Sequence, residues 1–260
     1  MPVISVEAYR RAFGDYIRTG APIRVAPKEV GTSGRHVWRT RRDDRVRLAH
    51  RINDGHLFDW TDPPVKGHPG EAFGCRCVAV PYVPGETEFA YFTLQTGFGP
   101  EVQPWTDLDF VNHYCSGAGR TVRLEELGHL QAIAEQYAYR DGDEGVFHRL
   151  AGQIASNARQ QGEGAISHEF RNAYDFGPVA FSHGCGVVRG YFSGVIRRHG
   201  SMLAISGRAD FFISDRFGDP VGPGIEVGGA PYAIVGNRSA EFVADVFADQ
   251  DFSAYAWRED

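Results

Sequence analysis

Phe211-Phe212-Ile213-Ser214-Asp215-Arg216-Phe217-Gly218-Asp219-Pro220 is an alternating run that ends abruptly in acids, an arginine and a turn. Leu203, Ile205, Ala209, Phe211 and Ile213 fall on one side of the run, and Ser206, Arg208, Asp210 and Ser214 on the other. A period of two with one apolar side is the pattern of a half-buried strand. By the same count Asp215 points with Ile213, which puts its carboxylate at the lip of the core rather than in free solvent. Pro220 closes the run, because proline has no N–H for a ladder and disfavours helix in the residue before it. A strand end carrying solubilising charges is the plain alternative to a site.

Working outward, further strands are expected at Ser167 to Ala173, Val179 to His183, Gly186 to Arg197 and Tyr232 to Val235. His199-Gly200-Ser201 supplies a hairpin turn between two alternating runs. The result is an antiparallel meander. Ser239 reads as the cap of a last helix, with Glu241 in its first turn and Phe242, Val243, Val246 and Phe247 buried. Ahead of the sheet, Leu124, Leu127, Leu130, Ile133, Ala134 and Tyr137 recur at helical spacing over Val122 to Ala138. Phe147, Leu150, Ile154 and Ala158 do so over Val146 to Arg159. Helices packed on an antiparallel sheet make the class α+β.

The first hundred residues read differently. A short amphipathic helix is expected from Val6 to Ile17, and another after Asp43-Asp44, with Gly55 beyond its end. From Asp59 to Cys77 breakers are too frequent for regular structure, and strands follow at Cys77 to Tyr82 and Phe89 to Phe92. The second of these reads as the way out of the first unit. A boundary near Pro104 divides the chain into residues 1–104, small and irregular, and residues 105–260.

Composition narrows the function classes. With 260 residues and 42% hydrophobic content the chain can bury a sizeable core. A formal net charge of -6 and a pI near 5.9 argue against general nucleic-acid binding. Apolar stretches are too short to span a bilayer, and Met1 to Glu7 lacks the features of a signal peptide. The expectation is synthesis in the cytoplasm and, if exported, release by a specialised secretion system. The 4 cysteines do not resemble the framework of a small secreted domain.

Trp38 to Cys77 carries Arg45-x-Arg47-x-x-His50, Gly55, Pro63-Pro64, His68-Pro69-Gly70-Glu71 and Cys75-Arg76-Cys77. These motifs resemble the signature of the phage Mu head-morphogenesis family, the minor head proteins. The resemblance covers about the first third of the chain and implies a virion- or injection-associated module, of a kind that also forms the front half of bacterial toxin proteins. In their own chemistry His50, His68, Cys75 and Cys77 are soft ligands that a structural Zn2+ site could use, although Cys-x-Cys is tighter than the usual spacing. A hydrogen-bonded loop with no metal is the alternative.

In the second unit Gly-x-Ser-x-Gly, His-Glu-x-x-His and phosphate-loop motifs are absent, leaving carboxylate chemistry. Asp215 and Asp219, four apart across a turn, can hold one hard cation such as Mg2+, which suits a phosphate or pyrophosphate substrate. Gly194, Gly207, Asp215-x-Phe217-x-Asp219 and Gly229-Ala230-Pro231-Tyr232 are similar to the catalytic part of the colicin M family. That resemblance implies a metal-dependent phosphodiesterase acting on lipid-linked peptidoglycan precursor in the target-cell periplasm, and a cognate immunity protein. It puts Asp215 at the family's leading aspartate and Phe217 at its tyrosine. The pattern departs in lacking a His-Arg pair after Asp219 and in shifting the second aspartate by one. His183 could supply the imidazole, and Tyr174-Asp175-Phe176 offers a competing frame. The expected site is therefore Asp215, Asp219, Arg216 and His183, with Phe217, Phe212 and Tyr232 receiving an apolar chain. The rivals are a non-enzymatic head protein and a toxin that permeabilises membranes or acts as peptidase or nuclease through Cys185 or His183.

Overall fold

The computed structural model describes residues 34–43, 45–64, 67–95, 103, 105–128, 146–175, 185–218 and 228–252. The expected helix at Val6 to Ile17, the expected strand at Val179 to His183, and His183 and Asp219 themselves lie outside these residues.

Two antiparallel sheets form the frame, confirming the α+β class. The smaller has the order β2-β1-β3, from Leu57–Asp59, Arg35–Arg39 and Val78–Pro81. The larger uses β4 (Phe89–Leu94), β6 (Gly164–Asp175), β7 (Cys185–His199), β8 (Met202–Phe217) and β9 (Tyr232–Phe247) in the order β4-β9-β8-β7-β6. A short β5 (Val122–Arg123) runs parallel to β9 at Ile234 and Val235. Thus β9 has β8 along one edge, and β4 and β5 share the other. Strand β4, expected to lead out of the first unit, is built into the larger sheet. Among the described residues the helices are α1 (Leu48–Arg51), α2 (Asp107–Ser116) and α3 (Val146–Gln161).

β8 follows its sequence pattern: Leu203, Ile205, Ala209, Phe211, Ile213 and Phe217 are buried on one face. Phe92, Phe192, Phe211 and Phe242 meet there in tilted and edge-on ring pairs. Leu150, Ala151, Ile154, Ala155 and Ala158 of α3 close the layer, the small residues letting the helix come near the sheet. Where β7 faces β8, Gly194 is opposite Gly207. A Cβ on Gly207 would lie 2.3 Å from the Ser193 carbonyl oxygen and 2.7 Å from the Phe192 ring, so the aromatic ring occupies the space both glycines leave. The hairpin expected at His199-Gly200-Ser201 is present: His199 pairs with Met202, and Gly200 takes φ 61°.

Two expectations are corrected. Residues 239–247 are not a helix but the second half of β9, with Ala240, Phe242, Ala244 and Val246 buried and Val243 on the open face. Ladders on both edges satisfy this backbone, and the aromatic and β-branched residues suit a pleat. Residue 122 does not start a helix either. Val122 and Arg123 are drawn into the sheet, a 3-10 turn follows at Leu124–Leu127, and Gly128 ends it with φ 70°. Leu124 and Leu127 are buried, as their spacing predicts.

Candidate metal-ligand cluster and strand-end carboxylate

The breaker-rich segment is a chain of tight turns. Gly67, Glu71 and Cys75 each donate a backbone N–H to the carbonyl three residues earlier. Gly67, Gly70 and Gly74 adopt φ of 80°, 87° and 69°, values that other residues rarely take. Glu71 turns back so that its carboxylate accepts the His68 backbone N–H at 2.7 Å. These turns bring Cys75 and Cys77 under α1, where His50 Nδ1 lies 3.4 Å from both sulfurs. His50 and Cys77 are buried and Cys75 is half-buried. Gly70 donates its N–H to Cys75 Sγ at 3.3 Å, and Trp38 stands edge-on to His50 at 5.5 Å. A hydrogen bond from Cys77 and the Gly70 N–H hold the Cys75 thiol down at about 5, against the effect of burial. The same contact with Cys75, together with burial, pushes the Cys77 thiol up.

His68 does not join them. Its ring packs at 4.7 Å from Trp60 and edge-on at 5.2 Å from His36, which stacks on Trp60 at 3.9 Å. His36 is fully buried, neither ring nitrogen has a hydrogen-bond partner among the described residues, and burial followed by His68 lowers its pKa to about 3. It is a neutral packing group.

The residue that sequence reasoning passed over is Asp54. Its buried carboxylate accepts the Thr40 N–H at 2.9 Å and Arg42 Nε at 2.6 Å, with His148 of α3 at 3.7 Å. Burial alone would raise its pKa, but Arg42, His148 and Arg39 outweigh it and hold the carboxyl below its usual range. Tyr82 donating to Asp245 at 2.8 Å and the Phe247 N–H donating to Glu88 at 3.0 Å join the small sheet's surroundings to β9. Because Asp54 lies in a turn between two short elements, no periodicity marks it. Only its partners, 12 and 94 positions away in sequence, do.

At the end of β8, Asp215 lies on the core-side register opposite Ile234, half-buried. Its Oδ1 accepts the Arg216 N–H at 2.7 Å, while Oδ2 is buried without a partner among the described residues. Arg216, Phe212, Phe217 and Tyr232, expected beside it, do not form a pocket with it. Arg216 is exposed on the opposite face, as is Phe212, 44% exposed beside Arg189 and Asn237. Phe217 and Tyr232 are core: they stack at 5.1 Å, Phe110 lies 5.9 Å from Phe217, and the Tyr232 hydroxyl donates to the Phe110 carbonyl at 3.2 Å. Neither ring offers an open surface to an apolar chain.

Comparison with known proteins bears on the first of these sites. The family described as Phage Mu protein F like protein matches residues 21–80, a span that contains His50, Cys75 and Cys77. A protein of Haemophilus influenzae (strain ATCC 51907 / DSM 11121 / KW20 / Rd), described as uncharacterised, is 42% identical over 55 residues, which is 21% of this chain and 12% of that protein. The chain thus spans a small part of that relative. No solved structure matches. Residues 21–80 therefore resemble the family described as Phage Mu protein F like protein.

Proposed function

We propose that this is a phage-head-related protein in which the turn-rich unit around the small sheet associates with a phage-like particle or delivery apparatus, and the large sheet is a cargo that harms a bacterial cell. The match over residues 21–80 carries the first half of the reading. Phe73, 96% exposed at the tip of the loop with its carbonyl held by Arg47 at 2.7 Å, gives that unit an apolar anchor for a partner.

The second half rests on Asp215. A buried carboxylate oxygen without a partner is costly unless something meets it, and a hard cation such as Mg2+ with a phosphate-bearing substrate fits that need. In this reading Asp215 helps hold the cation, which offsets negative charge on the phosphate, and Asp219 and His183 complete the site. The target is a lipid-linked cell-wall precursor reached in the periplasm after export by a specialised secretion system. A cognate immunity protein spares the producer. The non-enzymatic head component is the second reading, favoured by the same match over residues 21–80.

Expression of the full chain, directed to the bacterial periplasm or kept in the cytoplasm, separates the two. A growth defect by the periplasmic route that Asp215→Asn abolishes in a folded protein is the expected result. No defect by either route leaves the head component. A defect that Asp215→Asn does not change keeps the cargo and removes this site.

A further inference from the structure

We propose that His50, Cys75 and Cys77 bind one Zn2+ ion through Nδ1 and the two Sγ atoms, with a water as fourth ligand. The inference stands on the first unit alone and does not depend on the cargo reading.

Distance is the first argument. Zinc bonds of about 2.0 Å to nitrogen and about 2.3 Å to sulfur set N···S edges of roughly 3.5 Å in a tetrahedron. Nδ1 of His50 is 3.4 Å from each sulfur, so two edges of that tetrahedron are already built. Hydrogen bonding alone accounts poorly for this arrangement, because Nδ1 carries at most one proton and faces two sulfurs at equal range. A metal ion that attracts all three atoms at once explains their convergence.

The surroundings are those of a ligand set. The Gly70 N–H aimed at Cys75 Sγ is an outer-shell donor that steadies a metal-bound thiolate. Beside the three donors lies a cavity of about 20 Å³ lined by Arg45, Arg47, Gly74 and Arg76. That is room for about one water. His68 cannot reach the site, being fixed between Trp60 and His36. On binding, two Zn–S bonds form and whatever protons the two cysteine sulfurs still hold pass to solvent. The ion ties α1 to the root of β3 and closes the turn-rich loop between them, which removes loop-closure entropy from the unfolded chain.

The test uses the full chain purified without chelator. About one zinc per chain is expected by elemental analysis, and exchange for Co2+ should give an intense near-ultraviolet thiolate-to-metal band. His50→Gln, Cys75→Ser and Cys77→Ser should each lower zinc retention at least about tenfold, with His68→Gln retaining it in full. Zinc below roughly a tenth of an equivalent even after addition of Zn2+, with both thiols reactive or joined as a disulfide, overturns the proposal. So does loss of zinc from His68→Gln as complete as from His50→Gln. Should the ligand variants fail to fold, the cobalt spectrum of the unaltered protein decides, and absence of the thiolate band overturns the assignment.

Discussion

The small sheet has strands of 5, 3 and 4 residues and is surrounded by imidazoles, indoles, thiols and a buried carboxylate. The large sheet has strands of up to 16 residues, and its inner face is almost wholly Phe, Ile, Leu, Val and Ala. Short strands bury too little apolar surface to hold themselves, so the small sheet depends on particular polar and soft contacts and on its ties to β9 and α3. The large sheet rests on the amount of apolar area it removes from water, and any one polar contact there matters little. In one region identity of residues is everything; in the other, volume and pattern suffice.

Phe242→Ala should have the largest effect. The ring is fully buried, 4.5 Å from Phe92 and 5.6 Å from Phe192, and its loss should cost about 3–5 kcal/mol in chemical denaturation. A cost under about 1 kcal/mol would mean that the large core repacks and that area is not what holds it.

Asp54→Asn comes next, with about 3 kcal/mol expected because Arg42 and its neighbours are left near a neutral group. Hydrogen exchange should quicken in β1 and β3 much more than in β7 and β8. Equal quickening would erase the contrast between the sheets.

Acid should act on the small sheet by the same logic. Burial depresses the folded pKa of His36 to about 3 and of His56 to about 4, below the ordinary 6.5. Their contribution is therefore complete above pH 6.5 and is lost as pH falls through the window down to 4 and then 3. Asp54, also depressed, adds a loss that begins below its ordinary 3.8. Unfolding free energies from chemical denaturation at pH 7 and pH 5 should differ by about 2 kcal/mol for each histidine, about 4 kcal/mol for the two, the more acidic being weaker. No difference would mean that the two histidines are not buried neutral.

Arg208→Ala should do least. Arg208 bonds Asp210 at 3.0 Å and Ser239 at 2.7 Å on the exposed face of β8, so less than about 1 kcal/mol is expected. A larger loss would show that the large sheet, too, relies on specific polar contacts.

The same contrast explains what could be read in advance. β8 was legible because a half-buried strand writes its geometry into every second residue, and Asp215 was placed correctly on the core side by counting alone. The alternation in β7 and the helical spacing of α3 were likewise visible, and both lie in the large, pattern-governed region. Residues 239–247 misled because Ser-x-Glu followed by apolar residues satisfies helix capping locally, while the ladders to β8 and β4 that override it come from distant chain. In the small region, residue types named the soft ligands but could not separate His68 from the other three, since both histidines fit the same spacing argument.

What the sequence determined by itself was the class, the core face of the central strands, and the presence of a turn-rich loop carrying metal-type side chains. Those follow from local periodicity and from backbone restrictions at Gly and Pro, which act over a few residues. Tertiary structure alone decided which imidazole faces the two sulfurs, that Asp54 and His148 meet across the two sheets' surroundings, and that Phe217 and Tyr232 are core while Phe212 and Arg216 face outward beside Asn237 and Ala233. Each of these depends on strand register and loop closure over tens of residues, where the free energy of contact is set by what arrives from elsewhere in the chain.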